Sequence, residues 1–492
     1  MSESASTPGR VALSLVSHTN VGKTTLARTL LRRDVGEVRD EAHVTESAAR
    51  ELLIETEAGD RLELWDTPGF GDSVRLAKRL AQGGNPIGWF MSEVWDRFRD
   101  RAFWFDQRAL RNVLDEADVV LYLVNASEAP EDVAYLDAEL QVLGLLGKPV
   151  LVLLNQLGAP KSPADEAAEV RRWRSRIGPQ AGAREVLAFD AFARCWVQEG
   201  VLLQRVADAL PADRQAGFER LRAAWDERGR ATWRASMQVL AERLARAALD
   251  REPVPESGWG GRLKDLGAAL GLRKDGSSTA REHAMRALAE RLDADIRTST
   301  DRLIRLHGLG GQATDVVLTR LAEHYAVREP FDEGKAAVWG GVVTGALAGL
   351  KADLLSGGMT LGGGLLAGGV LGALGAMGLA KGFNLVRGID APSLAWTDAV
   401  LDELARSALL GYLAVAHYGR GRGDWTAAEH PDFWQDSVAE VMATGRAALQ
   451  ALWERRGQDN ASMLADELRP WLAEATRTLL RRLYPQADDA LA

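Results

Sequence analysis

The stretch Val11 to Thr25, VALSLVSHTNVGKTT, constrains this chain more than any other. The apolar run from Val11 to Val16 predicts a buried strand. It breaks at Ser17 into a short loop ending in Gly22, Lys23 and Thr24, which open a helix through Leu31. Strand, loop and helix in this order form a phosphate-binding loop. Backbone N–H groups and a helix N-terminus face the phosphates, the lysine reaches the outer ones, and the threonine hydroxyl ligates magnesium. Ser17, Asn20, Val21, Gly22, Lys23, Thr24 and Thr25 are therefore the candidate nucleotide-binding residues of this segment. Ser17 stands where the usual pattern begins with glycine, so the turn has to accommodate a β-carbon.

A second motif follows in the right order. Glu51 to Thr56 and Arg61 to Trp65 alternate as two strands of a hairpin around Ala58-Gly59-Asp60, and the second strand runs into Asp66-Thr67-Pro68-Gly69. An aspartate at a strand end holds magnesium through water, and the glycine N–H senses a γ-phosphate. Together the two motifs predict an α/β P-loop nucleotide hydrolase domain, a mixed and mostly parallel sheet with flanking helices.

Asn20-Val21-Gly22-Lys23-Thr24 with Asp66-Thr67-Pro68-Gly69 resembles the Era and TrmE branch of translation-factor-related GTPases, over roughly residues 9 to 210. The resemblance implies GTP and GDP as ligands, Mg²⁺ held by Thr24, Thr45 and Asp66, and Lys23, Thr45 and Gly69 as the residues acting on the phosphates. Thr45, in His43-Val44-Thr45, is the candidate for the switch I threonine, with a loop or N-cap threonine as the bland alternative. Phe70 stands where Ras-like proteins place a water-orienting glutamine. An apolar side chain cannot polarise water, so intrinsic hydrolysis is expected to be slow. In potassium-activated relatives an asparagine at the Asn20 position helps hold a monovalent cation, which implies K⁺ as a second ion; the alternative is an Asn20 that merely closes the loop.

Base recognition follows the family pattern less well. Strands are expected at Ala117 to Val124, Pro149 to Leu154 and Glu185 to Phe189, with a helix at Asp137 to Leu146. The middle strand leads to Asn155-Gln156-Leu157-Gly158, where the family has Asn-Lys-x-Asp. Asn155 is expected at the purine edge and Gln156 over its face, but Gly158 supplies no carboxylate, and Asp190 lies in reach of the region. Guanine preference is implied by resemblance, and ATP stays open as an alternative.

Between Gly69 and the next strand lies an aromatic insertion, about residues 70–112, with Phe90, Val94, Phe98 and Phe105 at helical spacing. It either packs against another domain or docks in response to the nucleotide. A net charge of −9 and the absence of a basic run argue against nucleic acid as the main partner. The lone cysteine, Cys195, excludes an intramolecular disulfide and reads as a buried thiol in a reducing compartment. Residues 1–10 are polar and read as a disordered lead-in without a secretory signal.

With the nucleotide domain at 11–211, strands are expected to give way to helices. Phe218, Leu221 and Trp225, then Met237, Leu240 and Leu244, follow steps of three and four and predict one long helix opening a helical domain at 212–335. A second helical block is expected at Thr279 to Ala326. Residues 336–386 read as a glycine-rich apolar hairpin. A run of 27 uncharged residues ends at Ala380, about 40 Å if helical against a ~30 Å hydrocarbon core, and Gly341, Gly345 and Gly349 repeat at helical spacing. Ten glycines from Gly357 to Gly378 would cost a water-exposed helix roughly 8 to 10 kcal/mol, which close helix packing or a bilayer offsets. Both a membrane hairpin and a glycine-packed soluble hairpin fit.

The C-terminal helical domain is set at 387–492, with helices at Phe433 to Trp453 and Met463 to Leu483. Arg420 and Arg422 fall in its glycine-rich turn. The whole arrangement resembles a bacterial family of GTPases that share a C-terminal domain of unknown function. The expectation is a GTPase coupled to a helical, membrane-associated effector half, cytoplasmic and at the inner membrane. Its expected partners are GTP and GDP, membrane lipid or a membrane protein, and a second copy of the chain. The rivals are a ribosome-assembly GTPase and a slow-turnover nucleotide-bound scaffold.

Overall fold

The computed structural model describes residues 9–32, 49–80, 101–158, 161–178, 183–191, 195–253, 280–309, 383–387, 392–418, 432–456 and 460–491. Two compact units emerge. One consists of Met1–Thr232, Ala416–Trp434 and Leu480–Ala492, the other of Trp233–Val415 and Gln435–Leu479. These cuts fall at other places than the domain bounds set from composition, because a unit is defined by what packs together and a compositional bound by what changes along the chain.

In the first unit, β1 (Arg10–Ser17), α1 (Lys23–Leu31), β2 (Ala49–Glu55), β3 (Arg61–Asp66), α2 (Ser73–Leu80), α3 (Arg101–Glu116), β4 (Val119–Asn125), α4 (Leu136–Leu145), β5 (Val150–Asn155), α5 (Pro163–Ile177), β6 (Ala183–Ala188) and α6 (Trp196–Ala209) follow in order. The strands form a six-stranded sheet in the order β2-β3-β1-β4-β5-β6, with β2 antiparallel to β3 and all other pairs parallel. The apolar runs of β1, β4 and β5 are continuous because both faces are covered. Leu13, Leu15, Leu121 and Leu123 point into a core shared with Leu26 of α1 and Leu202 of α6. Val16, Tyr122 and Val124 point into the opposite core with Leu76 of α2, Leu140 of α4 and Trp173 of α5.

The chain leaves β1 for β3 on one side and reaches β4 on the other, so its order reverses at β1. Ligands of such sheets bind outside the carboxyl ends of the strands at that point. The register brings Asp66, the last residue of β3, level with Leu15 of β1.

The long helix expected from residue 212 is α7 (Ala212–Leu249). Its first turns anchor on the hairpin: Arg220 donates to both oxygens of Asp60 at 2.7 and 2.8 Å, and the Gly9 N–H donates to the same carboxylate at 2.8 Å. The guanidinium above all holds the Asp60 carboxyl down at about 2. Within the same unit, Ala490 of α12 (Asp488–Leu491) packs against Gly200 of α6, where an added β-carbon would lie 3.0 Å from the Ala490 methyl.

The second unit takes in α7 from Trp233, then β7 (Arg251–Pro253), α8 (Ala280–Leu306), β8 (Phe383–Arg387), β9 (Pro392–Trp396), α9 (Asp398–Ala416, to Val415), α10 (Asp432–Arg455, from Gln435) and α11 (Ala461–Leu483, to Leu479). Met237, Leu240, Leu244, Leu288, Leu292 and Ile296 are buried as their spacing predicts. Two indoles meet polar partners, Trp233 Nε1 donating to Thr476 Oγ1 and Trp453 Nε1 to Asp402 Oδ1, each at 2.9 Å.

Strands do not disappear after residue 212. β7, β9 and β8 form an antiparallel three-stranded sheet in that order. Its strands are three to five residues long and carry Pro253 and Pro392, too short and too interrupted to show a period of two. Of the expected hairpin, Phe383 to Val386 belong to β8, and 336–382 lie outside the described residues. No helix among the described residues is long and apolar enough to cross a membrane. The Arg420–Arg422 turn and Trp89 to Phe98 of the aromatic insertion also lie outside them.

Candidate nucleotide site

The loop between β1 and α1 owes its shape to local backbone choices. Gly22, the residue before α1, has φ +91°, and a β-carbon there would meet Asn155 Nδ2 at 2.7 Å, so glycine is required twice over. Asn20 takes φ +63°, a left-handed conformation that asparagine accepts more readily than most residues. Ser17 needs no glycine in its place: its hydroxyl donates to the His18 carbonyl and accepts from Lys23 Nζ at 2.9 Å. Lys23 is buried, with Nζ also 3.5 Å from the His18 carbonyl. Burial pushes its ammonium below the ordinary lysine range, against the pull of Asp66 and Glu139.

Asp66 is buried at the end of β3 and accepts from Thr24 Oγ1 at 2.7 Å through Oδ2. Its other oxygen, Oδ1, is buried and has no hydrogen-bond partner among the described residues. Burial raises this carboxyl, with Lys23 and Thr24 opposing. A hydroxyl and a buried carboxylate with a spare oxygen are hard oxygen donors, the chemistry that suits Mg²⁺.

Gly69 sits directly on the loop. A β-carbon there would lie 3.0 Å from Lys23 Nζ and 3.0 Å from the Thr19 Cα. The next residue, Phe70, is fully buried, and its N–H donates to the Ser17 carbonyl at 2.9 Å. The two motifs thus pack as one body. Thr25 is buried in the first turn of α1, where its carbonyl accepts from Thr29 Oγ1 at 2.8 Å. Thr45 lies outside the described residues.

On the base side, the Asn155 carboxamide is buried and engaged at both ends. Nδ2 donates to the Val21 carbonyl at 2.7 Å, and Oδ1 accepts from the Ala191 N–H at 2.8 Å. Asn155 therefore ties the phosphate loop to the loop after β6. Gln156 has φ +58°, and its Nε2 lies 3.5 Å from the Asn20 carbonyl. Asp190 accepts from the Leu157 N–H at 2.8 Å and so holds the Asn155–Gly158 turn. A cavity of about 50 Å³ beside that turn, lined in part by Leu157, Glu166, Asp190, His417 and Tyr484, has room for a few waters and not for a purine.

One part of the site was not anticipated from the sequence. Glu139 of α4 is fully buried beneath the loop. Its Oε1 is 2.8 Å from His18 Nδ1, and its Oε2 accepts from Tyr122 Oη at 2.8 Å. The His18 ring stacks on Tyr135 with centroids 4.2 Å apart. The available signal was a histidine inside a phosphate loop, with its partner far along the chain.

Sheet order, loop, buried lysine and the β3 aspartate define a P-loop GTPase domain, and residues 12–156 match the family model described as 50S ribosome-binding GTPase. Residues 180–481, more than half of the chain, match the model of the domain of unknown function DUF3482, and the chain belongs to that family. No curated protein matches it. Among solved structures, Era in complex with MgGDPNP and a segment of 16S ribosomal RNA is similar at 18% identity and TM-score 0.32, over 42% of this chain and 58% of that one. An Era variant from Aquifex aeolicus bound to GDP and AlF4⁻ gives 19% and 0.31, over 41% and 57%. A bacterial dynamin pair described as sensing and tethering membranes gives 11% and 0.26, over 98% and 71%. The chain thus spans less than two thirds of the Era structures, and all three TM-scores lie below 0.5.

Proposed function

We propose that this chain binds GTP with Mg²⁺, hydrolyses it to GDP and phosphate, and couples the nucleotide state to its helical half. The carrying observation is the packing of buried Lys23, Asp66 and Gly69 with half-buried Thr24 into one cluster at the order-reversal point of a P-loop GTPase sheet. In this reading Lys23 neutralises phosphate charge and the loop backbone from Ser17 to Gly22 cradles it. Thr24 and Asp66 hold Mg²⁺ together with Thr45, and Gly69 presents its N–H to the γ-phosphate. The metal, when bound, offsets charge on the transferring phosphoryl group. Phe70 is buried and apolar, so no side chain at that position orients water and turnover is slow. Asn20, exposed at the mouth of the loop, is the residue toward K⁺.

Guanine preference rests on the family match, because Gly158 offers no carboxylate, while Asn155, which braces two loops, keeps a second Nδ2–H and a second Oδ1 lone pair for the purine edge. Membrane association rests on the composition of residues 336–382. The test is nucleotide binding and phosphate release with GTP and ATP in Mg²⁺, with K⁺ against Na⁺, followed by liposome flotation of the full chain and of a 336–382 deletion. GTP-selective binding with Mg²⁺-dependent release supports the reading, whereas equal ATP binding removes the guanine part. Flotation that is indifferent to the deletion removes the membrane part.

A further inference from the structure

The buried Glu139 does more than the packing of α4 asks of it. A carboxylate is costly to bury, and here the cost is met by partners from two elements beside the phosphate loop. His18 comes from the loop itself and Tyr122 from β4, each 2.8 Å from a Glu139 oxygen. The loop is joined in turn to the segment after β3 at backbone level, where His18 and Phe70 form a parallel bridge and the Phe70 N–H donates to Ser17. Gly69 immediately precedes Phe70 and lies against Thr19 and Lys23.

We propose that Glu139 is a positioning residue that latches the phosphate loop through His18 and so, by way of the His18–Phe70 bridge, fixes where the Gly69 N–H points. This rests on the reading of Gly69 as the γ-phosphate donor. A donor misplaced by about an ångström costs up to roughly 100-fold in rate when it acts on charge developing in the transition state. GDP has no γ-phosphate, so its binding does not depend on the latch. Tyr122 reaches the other oxygen of the carboxylate from β4, so it supports the latch without setting the position of His18.

The test compares wild type with H18A, H18N, E139Q, the H18A/E139Q pair and Y122F in the full chain, measuring kcat, KM for GTP and GDP affinity. H18A and E139Q are expected to lower kcat at least about tenfold with GDP affinity within about threefold. H18N, which keeps a donor near the Nδ1 position, restores most of kcat. The double variant is no worse than the poorer single one, because both cut the same latch. Y122F lowers thermal stability and leaves kcat within about twofold. Unchanged kcat in H18A and E139Q, additive losses in the pair, or an equal loss in Y122F overturns the proposal. Should wild type bind GTP without turning it over, the latch is read instead from the GTP-to-GDP affinity ratio, which H18A must lower. Wild type that binds no guanine nucleotide overturns the latch together with the functional reading.

Discussion

Glu166 gives the pH dependence of this protein a specific source. It lies in the first turn of α5, and burial raises its carboxyl from 4.5 to about 7, with Lys161 opposing and Glu169 adding to the rise. The folded state therefore keeps a proton that the unfolded chain has released above pH 4.5. With fewer protons bound in the unfolded state, stability falls as pH rises through this window and levels off above pH 7. At 1.36 kcal/mol per pH unit the rise corresponds to about 3 kcal/mol, and the positive end of α5 returns about 0.5 kcal/mol of it, leaving roughly 2 to 3 kcal/mol. Replacement Glu166→Gln keeps the shape and removes the charge. Denaturant unfolding followed by tryptophan fluorescence is to be run on both proteins from pH 4.5 to 8. The two should coincide at the acid end, and the variant should be more stable by about 2 to 3 kcal/mol at pH 8. A difference that stays flat with pH, or that favours the wild type as pH rises, refutes the reasoning.

Other perturbations have equally definite outcomes. Lys23→Ala removes charged hydrogen bonds worth about 1.5 to 3 kcal/mol each, so nucleotide affinity by equilibrium titration should fall about 10- to 150-fold. Gly69→Ala brings a methyl to 3.0 Å from a backbone atom that cannot swing away, and single-turnover phosphate release should slow at least about tenfold. Asn155→Ala leaves the Val21 carbonyl and the Ala191 N–H without their partner; about 2 to 4 kcal/mol of stability should be lost, and nucleotide should partly restore the melting temperature. Gly229→Ala places a β-carbon 2.6 Å from the Trp196 ring inside the first unit, which should lower its stability by about 1 to 3 kcal/mol in denaturant unfolding without changing nucleotide specificity.

What could be read from the chain alone divides along a physical line. Gly22, Lys23 and Thr24 are adjacent in sequence, and so are Asp66 and Gly69, so each half of the phosphate site is written locally and shows itself as a motif. Strand runs such as Val119 to Val124 were legible for the same reason, since burial on both faces leaves an unbroken apolar stretch. The latch was not, because Glu139 lies 121 residues from His18 and a lone glutamate in an amphipathic helix carries no mark of burial. Asn155 was read as a base contact from its motif, and the bracing its carboxamide also gives to two loops is visible only once β5 and β6 are paired. The three-stranded sheet escaped because β7 and β9 meet across about 140 residues of chain.

The make-up of the first unit has a consequence for how the protein is born. Its sheet and phosphate loop are complete by Thr232, but His417, Tyr484 and Ala490 arrive only with Ala416–Trp434 and Leu480–Ala492. At 5 to 20 residues per second, the ribosome delivers the last of these roughly 10 to 50 s after the first segment. Through that interval the newborn nucleotide domain has an uncovered apolar flank at α6, where Gly200 awaits Ala490. A chaperone, or nucleotide bound early, has a defined window in which to act, and a fragment cut at Thr232 would remain at that unfinished stage.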